Sequence, residues 1–457
     1  MIPSLGFGAA AAIIISGMIG LGVFLKGRVM ACETGSTGLE LAAWALAGAV
    51  AFCGALSVAE LAAMMPQSGG TYVYVRRAFG PAAAFTIGWA QLLIAAPASI
   101  GALASGGAIF FNHATGGVLD TLPHGAQCFA AGLILAVTAL NCAPVRVNGN
   151  VAIVSAVLKI GILAGIAATG LIAAQHAMHV PQAILSPATA PCADVAPALR
   201  YGAAGFAAAM LSALYAYNGW VVIANIAGEI QRPETTIPRA LFVGVTIVVA
   251  LYLLANAAFA RVLGFAAILQ LSPSASLGIT AAERLFGNAW SGISSAILLA
   301  SAIATMHVVV LNYSRVTYAV ARDGLFMSPL ATLSKQGVPI RAVVTTSAIA
   351  LCLVLVMGFE RLSDWFTFEV WLIFVIAVGG LFALRRSEPQ TARPYRVIGY
   401  PFLPGAFLIV AGCVLAVTAF TRPLDAGIAL AITLTGLPAY AAASAARTRR
   451  DAARSQR

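Results

Sequence analysis

Charge is scarce in this 457-residue chain. Only 9% of the residues are Asp, Glu, Lys or Arg, against 61% that are hydrophobic. A soluble protein of this length could not cover its surface with so few charges. Any polar interval long enough to fold as a soluble domain is also missing. There is no Gly-Lys-Ser/Thr phosphate loop, no His/Glu metal cluster, and no Ser/His/Asp set that spacing alone would support. Those gaps argue against an enzyme, a primary pump, a cofactor or a bound metal. The seven cysteines, Cys32, Cys53, Cys128, Cys142, Cys192, Cys352 and Cys413, match no metal spacing. Most fall in or beside apolar runs, where cysteine acts as a small hydrophobe. Cys32 and Cys192 could both face outside, where a disulfide is conceivable. No basic segment precedes the first apolar run, so that run reads as a retained span and not a cleaved signal.

What is present is a series of apolar runs. A bilayer core needs about 20 apolar residues per helix, and backbone in lipid must satisfy its own hydrogen bonds. The chain therefore reads as an all-α polytopic membrane protein with twelve spans: 5–25, 38–63, 82–110, 126–143, 150–173, 201–227, 238–261, 287–318, 341–358, 364–384, 402–420 and 425–445. With both termini inside, eighteen of the 26 basic residues lie inside and seven outside (Lys26, Arg28, Arg200, Arg261, Arg284, Arg361 and Arg422). Lys159 lies within a span, and Lys26 and Arg28 run against the trend. The net charge of +11 then reflects topology and contact with the lipid bilayer, whose anionic headgroups it suits, and not nucleic acid.

Two of these runs are interrupted. The first carries "IIISGMIGLGVF", Ile13 to Phe24, with Gly17, Gly20 and Gly22 where lipid depth demands helix. The sixth carries "LYAYNGW", Leu214 to Trp220, with the turn dipeptide Asn218-Gly219. If spans one to five pair with six to ten, the interruptions correspond, which points to a transport site near the midplane. Unwinding exposes N–H groups that suit a carboxylate and C=O groups that suit an ammonium. A zwitterionic amino acid offers both. The plainer alternative is close helix packing by small residues.

These residues resemble the amino acid–polyamine–organocation superfamily, and within it the L-type amino acid transporter branch. The similarity rests on "SGMIGLGVF", "GSTGLELAAWALAG", "AELAAMMPQSGGTYVYVRRAFG", "WAQLLIAAPAS", "YAYNGWVVIANIAGEIQRPETTIPRAL", "SRVTYAVARDGLF" and "RPYRVIGYPFLP", which run from span one to span twelve. The resemblance implies a LeuT-type fold in a single transmembrane domain: inverted repeats over 1–175 and 198–386, then two further helices over 400–446. It implies amino acid transport by alternating access. Its substrate site would comprise Ser16, Gly17, Met18, Ile19, Gly20, Leu21 and Gly22 with Tyr215, Ala216, Asn218 and Gly219. The carboxylate would meet the amides of Leu21 and Gly22, and the ammonium the carbonyls near Met18 and Tyr215. Tyr215 would stand as an aromatic gate. Leu21 and Asn218 depart from the family pattern, where a small or hydroxyl residue and a glycine are common. Relatives that bind a heavy chain do so through a cysteine between spans three and four. The loop "FNHATGGVLDTLPHG" has none, so no covalent partner is expected, and the protein would act as a monomer or homodimer. The Ala-rich chain looks bacterial, which implies the inner membrane.

Ionisable residues inside spans are functional candidates. Lys159, in "SAVLKIGIL", falls where the resemblance implies a lysine standing in for an ion, bridging spans one, five and eight. It either releases a proton during transport or serves as a fixed strut. Glu369 in span ten could couple protons or bind a cationic side chain, or lie hydrated or paired near the outer end. His307 in span eight could titrate near neutrality or hydrogen-bond between helices. Glu60 and the Glu229–Arg232 segment could pair with Arg76, Arg77, Arg315 and Arg322 as an inner gate, although Arg76 and Arg77 suit plain interfacial anchoring. Pro97 should kink span three. The leading expectation is a carrier of neutral L-amino acids, either exchanger or proton symporter. A cationic amino acid or polyamine carrier, or a non-transporting sensor, is the alternative.

Overall fold

A computed structural model of the chain describes residues 5–142, 148–173 and 192–455, apart from positions 68, 288, 325, 327 and 336. Arg146, Arg457, the residue-175 limit of the first repeat, and Ser68 and Leu325 of the quoted motifs lie outside these. The described residues are helical throughout, with no strand; one isolated bridge joins Leu5 to Ile230. In chain order the α-helices are α1 (Phe7–Met18), α2 (Gly22–Leu25), α3 (Gly27–Thr34), α4 (Thr37–Met64), α5 (Thr71–Phe79), α6 (Pro81–Ala90), α7 (Ala96–Ala114), α8 (Gly125–Asn141), α9 (Asn148–Ala173) and α10 (Gly202–Ala216). There follow α11 (Val222–Asn225), α12 (Pro233–Leu263), α13 (Phe265–Gln270), α14 (Leu277–Phe286), α15 (Ala289–Arg322), α16 (Ile340–Val356), α17 (Phe359–Ser387), α18 (Phe402–Thr421), α19 (Pro423–Leu434) and α20 (Gly436–Ser455). Among the described residues, eight helical stretches are long and apolar enough to cross a membrane: Phe7–Leu25, Thr37–Met64, Pro81–Ala114, Pro233–Leu263, Trp290–Arg322, Phe359–Ser387, Phe402–Thr421 and Pro423–Ala445. Four shorter apolar helices accompany them.

Local sequence sets the ends. Ser36 caps α4 through its hydroxyl, 3.2 Å from the Leu39 amide, and Gly35 ends α3 at φ +71°. Pro81 occupies the first turn of α6, where its missing N–H costs nothing. Between α6 and α7 lies one π-helical turn, Gln91–Ala95, immediately before Pro97. This wider turn, with the Ala96 amide bonded to the Gln91 carbonyl, sits just ahead of the proline that cannot donate.

The fold places α1 and α10 centrally. α1 packs on α12 and α9; α10 packs on α4, α3 and α17. Trp44 of α4, Tyr217 and Tyr252 of α12 meet with ring centroids 5.0–5.8 Å apart and fill the space between. Apolar side chains on α18 and α19 point outward, Phe402 and Phe420 being over 80% exposed, as a lipid-facing surface requires.

Polar contacts concentrate at two ends. Glu360 and Arg385 lie 25 residues apart on α17, about 37 Å at 1.5 Å per residue, which exceeds a hydrocarbon core of about 30 Å. At the Glu360 end Lys26 pairs with Glu360 and Asp364, and Asp364 also with Arg422. Arg28 makes a forked contact to Asp194 at 2.7 and 2.9 Å. Cys32 and Cys192 form a disulfide, their Cα atoms 5.8 Å apart. Lys26 and Arg28 ran against the charge trend in the sequence; both are buried here against carboxylates. Their charge is neutralised within the protein.

Candidate functional site

The first break begins with one misdirected hydrogen bond. The Ile19 amide still bonds to the Ile15 carbonyl at 2.8 Å, as helix geometry requires. The next amide, Gly20, turns to the Met18 carbonyl at 2.8 Å instead of Ser16. That strands the Ser16 carbonyl in a buried site, where an unpaired acceptor is costly. Lys159 of α9 fills the vacancy, donating to the Ser16 carbonyl at 3.1 Å and to the Thr305 hydroxyl of α15 at 2.6 Å. The lysine is 2% exposed.

The second break, 217–221, lies against the first. Gly219 sits at φ +119°, and a Cβ there would come within 2.3 Å of the Gly17 carbonyl oxygen. A Cβ on Gly22 would approach Ala216 Cβ to 2.6 Å. Both are packing constraints, of the kind the small-residue alternative calls for. Gly20 differs: nothing lies nearer to its absent Cβ than the Met18 carbonyl at 3.9 Å. The Tyr252 hydroxyl spans the two breaks, 2.8 Å from the Met18 carbonyl and 3.2 Å from that of Ala216.

Where the breaks meet is a cavity of about 50 Å³. Gly17, Met18, Gly20, Leu21, Gly22, Tyr215, Ala216, Asn218 and Gly219 line it. Ser16 and Ile19, also expected there, do not; Ser16 engages Lys159 and Ile19 is fully buried. The sequence reading missed Ser99, Thr305, Asn312, Tyr313 and Phe366, which also line it beside several leucine and valine side chains. Ser99 ends the quoted "WAQLLIAAPAS", which was the available signal. Tyr252 was also missed; a tyrosine in mid-span was its only trace.

Glu369 corrects an expectation. It is fully buried, without an ion pair among the described residues, and both its oxygens lie 3.1 Å from the Thr433 hydroxyl of α19. It does not line the cavity, and neither does His307, which is buried on α15.

An aromatic roof and an amide floor enclose the cavity. Tyr215 meets Phe359 and Phe366 edge-on at 5.8 and 6.0 Å, and the Lys26 ammonium lies 5.7 Å from the Tyr215 ring centre. Below, the Asn225 amide of α11 donates to the Asn312 side-chain oxygen at 3.1 Å. Asn225 is also held by the Gly69 amide on its carbonyl at 3.3 Å. On its other side it borders a vestibule of about 820 Å³, flanked by Arg76, Arg77, Arg315, Arg322 and Asp323. Arg76 pairs with Asp323, and Arg77 with Glu388 at 2.6 Å, so neither is a simple anchor. Arg315 pairs with Glu229 at 3.3 Å. Glu60, expected to share those arginines, instead engages Arg385 at 2.6 Å and Arg393 at 3.4 Å. Outside the spans, the Arg77 guanidinium holds the Glu388 carboxyl below its usual range, as Arg28 does for Asp194. Burial pushes the Glu33 carboxyl well up.

Paired helix breaks around an uncharged pocket, within a bundle of lipid-length helices, define a membrane carrier. Comparison with known proteins agrees. The amino acid permease family matches residues 5–438, and the chain belongs to that family. It is 30% identical to the serine/threonine exchanger SteT of Bacillus subtilis (strain 168) over 436 residues, 94% of each chain. It is 29% identical to the human cystine/glutamate transporter, across 94% of this chain and 82% of that one. It is 28% identical to the human large neutral amino acids transporter small subunit 2, across 95% and 79%. The chain is thus a multi-pass membrane protein of a family of amino acid transporters, and not an enzyme.

Proposed function

We propose that this protein is a secondary active carrier that exchanges neutral L-amino acids by alternating access. The observation that carries the reading is the small cavity at the meeting of the two breaks, with no charged side chain among its described lining residues. A cationic or polyamine substrate would need a buried counter-charge, and Glu369 points to α19 instead.

In this reading the eight long and four shorter apolar helices are twelve spans, arranged as five plus five inverted repeats (1–175 and 198–386) and two further helices (400–446). α1 and α10 open the two repeats. The substrate carboxylate rests on the Leu21 and Gly22 amides. The Met18 carbonyl already accepts from Gly20 and Tyr252, and the Tyr215 carbonyl from the Asn218 amide, so the ammonium shares the Tyr215 carbonyl or displaces the Tyr252 hydroxyl. Lys159 acts as a strut on the carbonyl that the break frees, which favours exchange over proton symport. The arginine-lined vestibule is cytoplasmic by the positive-inside rule. Both termini are then cytoplasmic, in a bacterial inner membrane, and the structure faces inward. No cysteine lies in 111–125, which supports a carrier without a covalently linked heavy chain, as a monomer or homodimer.

The test is uptake of radiolabelled amino acids by purified protein in liposomes preloaded with unlabelled neutral amino acid. Neutral amino acids should accumulate, and lysine and putrescine should not. The reverse order would support the cationic alternative, and binding without uptake would support a sensor.

A further inference from the structure

One face of α17 carries more than packing. Arg361, Trp365 and Glu369 follow one another every fourth residue, which aligns them on one side of the helix. All three meet α19. The Arg361 guanidinium donates to Asp425 at 2.7 and 3.0 Å, and the Trp365 indole donates to the same carboxylate at 3.0 Å. Glu369 lies against Thr433, further along α19. The first two contacts give a carboxylate its donors. The third sets a fully buried carboxyl against a hydroxyl alone.

The hydrogens there can be counted. A threonine hydroxyl has one hydrogen to give and two lone pairs to accept with. Thr433 lies 2.9 Å from the Ala429 carbonyl of its own helix, closer than to either oxygen of Glu369 at 3.1 Å. A carbonyl can only accept, so that contact takes the hydrogen. An ionised Glu369 would then face the Thr433 oxygen with no donor. It would find no counter-charge either. Toward one end of α17 the nearest charge is Asp364, paired with Lys26 and Arg422; toward the other it is Arg385, paired with Glu60. Of the elements packed on α17, the turn Gln91–Ala95 has no titratable group, α18 has only Cys413, and α7 only His113, which meets Ser291 and Ser295. On α4 are Glu40, Cys53 and Glu60; on α5 are Tyr72, Tyr74 and two arginines paired with Asp323 and Glu388; on α10 is Tyr215, set edge-on to Phe359 and Phe366. Thr433 remains the one hydrogen-bond partner of the Glu369 side chain among the described residues. A bare carboxylate so placed is too costly to hold, and such a group takes up a proton instead.

We propose that Glu369 is a proton site: a neutral carboxylic acid held between α17 and α19, outside the substrate cavity, whose proton stays in place through the transport cycle. Its O–H donates to the Thr433 oxygen, and the Thr433 O–H donates to the Ala429 carbonyl, so each donor of the relay has an acceptor. The proton completes the seam between the two helices. On one side of that seam α17 carries Phe366 of the cavity wall and the Glu360 and Asp364 carboxylates that hold Lys26. A proton that stays is not a coupling ion, which agrees with exchange.

Infrared spectroscopy reads the proton directly, because the carbonyl stretch of a protonated carboxylic acid stands apart from the bands of a carboxylate. With purified protein in liposomes at neutral pH, the spectrum of the wild type minus that of Glu369→Gln should show one protonated-acid band. Thr433→Val keeps the shape of the residue but removes the accepting oxygen, so it should move that band without abolishing it. Added threonine, a neutral amino acid, should leave the band in place. The glutamine amide donates to the Thr433 oxygen as the acid does, so Glu369→Gln should exchange labelled threonine within about threefold of the wild type. A carboxylate signal in place of the acid band would overturn the proposal. So would an acid band that vanishes when threonine is added, since the proton would then cycle with the substrate. Loss of exchange in a Glu369→Gln protein that melts like the wild type would also overturn it, by showing that an ionisable group is needed. The infrared signal is read whether or not threonine is carried, so failure of the carrier reading is told apart from failure of the proton site.

Discussion

The glycines of the first break have different tasks, and each task predicts a different mutant. Gly22 faces Ala216 at a distance no side chain tolerates, so Gly22→Ala must push α2 off α10. Overpacking of this kind costs about 1–3 kcal/mol, and the variant should melt earlier in detergent with uptake lost alongside. Gly20 faces the cavity, so Gly20→Ala should melt like the wild type yet lose substrate affinity several-fold. Equal melting losses in the two variants would refute the distinction. The sequence showed glycines where helix was expected, but whether each served a ligand or a neighbour depended on a partner segment about 200 residues away. The Lys159–Ser16 contact was hidden for a similar reason, since it depends on which carbonyl the unwinding frees. Glu33 makes the residue-scale prediction about pH. It is buried, and its Oε2 has no hydrogen-bond partner among the described residues. Burial raises its folded pKa well above the usual value, near 4.3 in unfolded chains. The folded state therefore holds a proton that the unfolded state releases. Its contribution is fully present below about pH 4 and is lost as pH rises toward the raised value. Glu33→Gln removes that loss, so its advantage in melting temperature over the wild type should grow between pH 5 and pH 8. A constant gap would sink the assignment.

At the scale of helices, two connections fix how the broken segments can move. α3 follows directly on α2 and is tied to the chain entering α10 by the Cys32–Cys192 disulfide, by the Arg28–Asp194 fork, and by the Tyr201 amide on the Glu33 carbonyl at 2.7 Å. Those ties couple the parts of both broken helices that lie toward the Glu360 end. At the other end the Asn225–Asn312 hydrogen bond joins a residue that lines the vestibule to one that lines the cavity. If it latches the floor, Asn225→Ala and Asn312→Ala should each change the exchange rate several-fold, and the double variant should change it no further, since both remove one contact. Additive effects in that cycle would mean that the two residues act separately. Long apolar helices were legible because a span of lipid imposes length and composition on the sequence. The π-turn before Pro97 was visible as a kink but not as a type of kink. The short helices α5, α13 and α14 carry no 18-residue apolar signature, and pairings such as Lys26 with Glu360 leave no local pattern.

For the whole molecule the two ends are unequal. One carries Lys26, Glu360, Asp364 and Arg422 over the Tyr215 ring; the other holds a basic vestibule of about 820 Å³ that reaches Asn225. Opening the closed end requires separating the buried Lys26 ammonium from its carboxylate partners, which is expensive unless something offsets it. A substrate bridging the two breaks supplies interactions that the empty protein lacks, so the loaded protein should cross between states far more readily than the empty one. That asymmetry is what makes a carrier an exchanger. Uptake of labelled threonine should therefore require unlabelled amino acid inside the liposome and should ignore an inward proton gradient. Lys159→Ala should abolish exchange at every pH by leaving the Ser16 carbonyl unpaired at the break. Proton-driven uptake into empty liposomes would reverse the argument: the empty protein would then return unaided, and Lys159 would be the first residue to examine as the group that carries the proton.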